Sequence, residues 1–145
     1  QVTAVASDAV YVRWQPPLQP NGVITKYRIY QQQPTIMNSE ILINQVLGNV
    51  QSFLHSGQDL KPYSVYEYKV IASNSVGDIS SNWSFVRTLE SPPTGLSVPT
   101  ISNISTYGIY LKWTPPTSPN GVIKEYRLLY QLDPASSQNT QMFVG

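Results

Sequence analysis

The chain has 145 residues, 41% of them hydrophobic and 11% aromatic, which is material for a packed core and too apolar for a disordered chain. Nine Lys and Arg against eight Asp and Glu leave a net charge of +1, so no positive field exists to hold a nucleic-acid backbone or an anionic lipid surface. With no cysteine and a single histidine, His55, thiolate zinc sites, cysteine nucleophiles and multi-histidine metal sites are excluded, and no cofactor is implied.

Taken in chain order, the first element is a strand at 10–14, where Val10, Val12 and Trp14 alternate with Tyr11 and Arg13. One face of it is buried and the other wet. Pro16 and Pro17 end the strand because proline cannot donate to a ladder, and Pro20-Asn21-Gly22 supplies turn chemistry before alternation resumes at Tyr27 and Ile29. Strands are expected near 41–43 and 50–55. A clear one follows at 66–72, where Tyr66, Tyr68, Val70 and Ala72 alternate with Glu67, Lys69 and Ile71. Residues 74–78 read as a hairpin loop and 83–89 as the returning strand. No stretch shows helical periodicity over about ten residues, and no apolar run approaches the ~20 residues of a membrane span.

After Pro92 and Pro93 the pattern begins again. Ile109, Leu111 and Trp113 alternate with Tyr110 and Lys112, Pro115-Pro116 stops the strand, and Pro119-Asn120-Gly121 leads into Tyr126 and Leu128. Trp14 and Trp113 stand 113 − 14 = 99 positions apart, and the same offset aligns residues 10–29 with 109–128 without a gap. Solenoid repeats run to ~20–50 residues, so this period belongs to whole domains in tandem.

The Trp-x-Pro-Pro segments, the Pro-Asn-Gly turns, Leu60-x-Pro62-x-x-x-Tyr66, the Tyr66-x-Tyr68-x-Val70-x-Ala72-x-Asn74 strand, Gly77 and the Pro92-Pro93 joint together resemble the fibronectin type III domain. The resemblance implies an all-β fold, an immunoglobulin-like antiparallel β-sandwich of seven strands. It assigns 1–90 to a near-complete domain lacking a few leading residues. Residues 91–145 become the N-terminal part of a second domain, strands A to C or C-prime. On that division Leu111, Trp113, Tyr126 and Leu128 face no opposite sheet.

Within this frame Trp14, Leu60, Tyr66 and Trp113 are structural core, and the Tyr66 hydroxyl is expected to bond the backbone near Leu60 as a tyrosine corner. Losing a core tryptophan would cost roughly 3–5 kcal/mol. Tyr11, Tyr30 and Tyr110 fall on outward strand positions, and with Asn74 and Asp78 of the hairpin loop they form a possible protein-contact surface. Some family members carry Arg-Gly-Asp in that loop for integrin binding. Here it reads Val76-Gly77-Asp78, so that carry-over fails at the missing arginine. His55, lacking a companion ligand, reads as a solvated or packed side chain. Asn82-Trp83-Ser84 and Asn103-Ile104-Ser105 are candidate glycosylation triplets, with Asn103 expected between strands A and B and Asn82 beside a strand.

These features point to a non-enzymatic structural and adhesion module, a spacer segment of an extracellular tandem array. It would belong to a secreted or single-pass cell-surface protein. The expected partners are neighbouring repeats of the same chain and extracellular proteins of unknown identity, without nucleic acid and without membrane insertion in this segment. The alternative is a ligand-binding segment of a cell-surface receptor ectodomain.

Overall fold

Alternation with a period of two turns into strands throughout. The computed structural model describes residues 1–130 and, by backbone alone, 140–144. Among these the elements are β1 (Val2–Ala6), β2 (Ala9–Arg13), β3 (Lys26–Gln32), β4 (Ile41–Leu47), β5 (Ser52–Ser56), β6 (Val65–Ser73), β7 (Asp78–Ser80), β8 (Ser84–Arg87), β9 (Thr100–Ser105), β10 (Gly108–Lys112), β11 (Tyr126–Tyr130) and β12 (Thr140–Val144). Every pairing between them is antiparallel. The chain divides into two units, Gln1–Ser91 and Pro92–Gly145.

The first unit is an antiparallel β-sandwich. One sheet has the order β1-β2-β5, and the other runs β4-β3-β6 with β7 and β8 both on the free edge of β6. Val10, Val12 and Trp14 project from the first sheet, and Tyr27, Ile29, Tyr66, Tyr68, Val70, Ala72 and Val86 from the second, into one core. The Trp14 and Tyr27 rings meet at 5.4 Å with a 58° tilt, a contact geometry that aromatic quadrupoles favour. A glycine is required at 48, because a Cβ there would stand 1.9 Å from the Ile24 carbonyl oxygen while the Gly48 N–H donates to Thr25.

The returning strand differs from the expectation of one run at 83–89. It begins earlier, at Asp78, breaks at residues 81–83, and resumes as β8, which ends at Arg87. Ser81 explains how the break is tolerated: its N–H donates to the Val70 carbonyl at 2.9 Å, and its hydroxyl accepts from the Val70 N–H at 3.0 Å. A side chain thus replaces one rung of the ladder, leaving Val70 satisfied.

The tyrosine corner closes the lower end of the second sheet. The Tyr66 hydroxyl accepts from the Lys61 N–H at 2.7 Å and reaches the Asp59 carbonyl at 3.4 Å, while Leu60 is buried beside it. Thr88, also buried, adds a second clasp by donating to the Lys61 carbonyl at 2.6 Å and accepting from the Ser64 N–H.

The second unit has two pairs among the described residues, β9 with β10 and β11 with β12. Trp113 and Tyr126 repeat the Trp14–Tyr27 contact at 5.7 Å and 56°. One register detail does not repeat. In β1–β2 the irregularity lies between Ala4 and Ala6, so Ala4 pairs with Val10; in β9–β10 it lies between Tyr110 and Leu111, so Asn103 pairs with Tyr110. A one-residue slip exchanges the faces of a strand. Asn103 therefore shares a face with Tyr110, while Ile104 pairs with Ile109.

Candidate functional site

The residues a partner could touch are set by strand parity and by the loops at the sandwich ends. Tyr11 lies on the outer face of the three-stranded sheet, 37% exposed. Tyr30 lies on the outer face of the other sheet, half-buried, with the Lys69 ammonium 5.4 Å from its ring. Tyr110 belongs to the second unit and is 68% exposed. Within the first unit Tyr11 and Tyr30 thus occupy the outer faces of different sheets.

Asn74 and Asp78 are committed to loop architecture. The Asn74 carboxamide oxygen accepts from the Val76 and Gly77 N–H groups at 2.9 Å, and its amide donates to the Pro20 carbonyl at 3.1 Å across to the loop after β2. Asp78 bonds Arg28, and the neighbouring Ser73 hydroxyl and Arg28 guanidinium hold its carboxyl below the usual aspartate value. Between these two loops opens a cleft of about 380 Å³, bordered by Asn21, Ile24, Asn74 and Asp78. Three apolar side chains, Leu18, Val23 and Val76, stand almost fully exposed on the same loops.

Two clusters were not anticipated. His55 is buried: its Nδ1 lies 2.9 Å from the Tyr68 hydroxyl, its Nε2 lies 2.7 Å from Asp59 Oδ2, and the Phe53 ring stacks near it. Burial opposes charge on Asp59, but the hydrogen bond and charge of His55, together with the backbone N–H groups of Asp59 and Leu60, outweigh it and draw the carboxyl below its ordinary value; burial first, with the neighbouring Tyr66 and Asp59, pushes the Tyr68 hydroxyl up. This arrangement holds the histidine between a phenol and a carboxylate. The i,i+4 spacing of His55 and Asp59 was the available signal, but only the fold puts Tyr68 on the other ring nitrogen.

The second cluster centres on Lys69, whose ammonium sits 4.5 Å from the Trp83 ring centroid and 2.7 Å from the Glu40 carboxylate. Arg87 stacks likewise on Tyr63 at 4.7 Å. Such cation–π contacts tie the edge piece β8 and its entry to the sheet. The outward lysine at 69 was legible; that Trp83 would lie over it depended on the break at 81–83.

Of the glycosylation triplets, Asn82 stands exposed in the break between β7 and β8, and Asn103 stands exposed inside β9 rather than between strands. Trp14, Leu60 and Tyr66 lie in the first core, whereas Trp113 is half-buried. Among the described residues no group of three or more His, Cys, Asp or Glu gathers to hold a metal, and no helix is long and apolar enough to cross a membrane.

A family profile described as the fibronectin type III domain matches residues 1–87. Human usherin is 39% identical over 131 residues, covering 90% of this chain. The rat phosphatidylinositol phosphatase PTPRQ is 37% identical over 88% of the chain, and chicken protein sidekick-1 is 34% identical over 98% of it. The chain spans 2% of the length of usherin, 5% of the phosphatase and 7% of sidekick-1.

Proposed function

The chain belongs to the fibronectin type III family, and from that premise we propose that it is a non-enzymatic spacer and adhesion segment of an extracellular tandem array of the usherin kind. The observation that carries this reading is the repeat itself. The Trp–Tyr packing of the first unit recurs after 113 − 14 = 99 residues, and the stretch that links the two copies contains Pro92-Pro93. Two successive pyrrolidine rings restrict the backbone, which suits a joint that transmits direction. Its partners are then neighbouring repeats of the same chain and extracellular proteins recognised elsewhere along the array.

Residues that a receptor-type ligand site would use are divided among two outer faces, one loop and the second unit, and Asn74 and Asp78 already have partners. That distribution favours spacing over recognition. Asn82 and Asn103 are the proposed glycan acceptors, both open to solvent. Arrays of two, three and four copies of the 99-residue period, examined by small-angle scattering, should lengthen by about 30 Å or more per copy, given ~3.3 Å rise per strand residue. A maximum dimension that stays constant with copy number would refute the spacer role. Expression through a secretory pathway followed by glycosidase treatment should lower the mass, and Asn82→Gln with Asn103→Gln should remove that shift.

A further inference from the structure

The two copies of the Pro-Asn-Gly loop share a left-handed asparagine but not the same company. Asn21 and Asn120 both take left-handed angles, φ 49° and 52°. In the second unit this loop is paired: Thr94 N–H donates to the Ser118 carbonyl at 2.9 Å, Ser118 N–H returns to the Thr94 carbonyl at 3.1 Å, and Thr117 N–H donates to the Gly95 carbonyl at 3.2 Å. The Asn120 amide adds a bond to the Pro92 carbonyl at 2.9 Å. Residues 92–95 thus lie along residues 117–120 as a short extended partner. Gly95 is needed there, since its φ is 75° and a Cβ would come within 2.0 Å of Thr117 Oγ1.

Shifted by 99, the same loop positions in the first unit are Leu18, Gln19 and Asn21. Their backbone N–H and C=O groups and the Asn21 amide have no partner among the described residues. The loop is nonetheless held in shape from its other side, because Asn74 donates to the Pro20 carbonyl. It is a preformed edge with open donors and acceptors, and an extended segment adds to such an edge through main-chain bonds.

We propose that residues 18–21 are a docking edge for the extended leader of a repeat, a Pro-Pro-Thr-Gly segment of the kind that 92–95 supplies to the second unit. Its threonine exchanges two backbone bonds with Gln19, its glycine passes beside Leu18, and its first proline carbonyl accepts from Asn21. Each joint of the array is then clasped to the loop of the unit that follows it. This deepens the spacer reading and rests on it. Amide exchange reads the clasp alone, whereas scattering reads the rod, so failure of one is distinguishable from failure of the other.

The experiment places a copy of residues 91–99 directly ahead of Gln1, the spacing that the period requires, and follows amide hydrogen exchange by NMR. The Gln19 and Leu18 amides should slow by roughly tenfold or more relative to the chain without the leader. A leader with valine in place of its glycine should lose that protection, and Gly95→Val should expose the Ser118 amide in the same way. Unchanged exchange at Gln19 with the native leader would overturn the proposal, as would equal protection from a leader of scrambled order.

Discussion

The two copies of one sequence pattern behave differently. Val10 is 0% exposed and its counterpart Ile109 is 63% exposed; Trp14 is buried and Trp113 is half-buried. Residue type cannot account for this, since isoleucine is at least as apolar as valine. What differs is the opposing layer. Val10 and Val12 face Tyr68, Val70 and Val86 across the first sandwich, whereas the described residues of the second unit comprise two separate strand pairs. Period-two alternation fixes which side chains share a face, and burial then depends on whether another sheet covers that face.

That contrast is open to direct tests. The largest effect is expected from the tryptophans. Trp14→Ala should lower the unfolding free energy of the first unit by about 3–5 kcal/mol, since it removes a core ring, while Trp113→Ala should cost about 1 kcal/mol or less. Urea denaturation followed by circular dichroism measures both, and equal losses would show that the two faces are covered alike.

Next comes the tyrosine corner of the first unit. Tyr66→Phe leaves the Lys61 N–H without its acceptor and should cost about 1–3 kcal/mol, seen as a lower urea midpoint at unchanged slope. A midpoint within error of the parent chain would mean that water replaces the hydroxyl freely. A smaller effect, about 0.5–1 kcal/mol, is expected for Lys69→Met, which keeps the stem over Trp83 and removes the charge. Stability of the parent chain should fall with added salt more steeply than that of this variant; parallel salt curves would sink the electrostatic account.

The smallest effect concerns acid. The Asp59 carboxyl in the folded chain lies below its ordinary value of 3.8, so the folded state binds that proton more weakly than the unfolded one. Its contribution is full above that ordinary value and is lost as pH falls through the lower folded one. Asp59→Asn should therefore lower stability slightly at neutral pH and flatten the acid limb, so that the two stability curves converge at low pH. Coincident acid limbs for the two proteins would show that the His55 contact does not stabilise the charged carboxylate.

Much of the first sandwich was legible because its cues are local. Alternation at 10–14 and 66–72 became β2 and β6, the double prolines ended strands, and Leu60-x-Pro62-x-x-x-Tyr66 became the corner seen in the hydroxyl bonds of Tyr66. The broken edge was not legible. Residues 83–89 carry enough alternation for one strand, and only the side chain of Ser81, standing in for a backbone rung on Val70, lets the chain kink there. For a related reason Tyr11 and Tyr30, both outward by parity, lie on the outer faces of different sheets, since parity does not say to which sheet a strand belongs.

The sequence by itself determined the class of fold, the tandem period, the turns and the inward sets at 10–14 and 66–72, because strand parity and turn chemistry act over a few residues. It also excluded thiolate and multi-histidine metal chemistry by composition. Tertiary structure alone decided which faces are covered, that His55 is pinned between Asp59 and Tyr68, that Trp83 lies over Lys69, and that Thr94 clasps the second Pro-Asn-Gly loop. Those outcomes depend on partners brought together from distant parts of the chain, and no local pattern encodes which partner arrives.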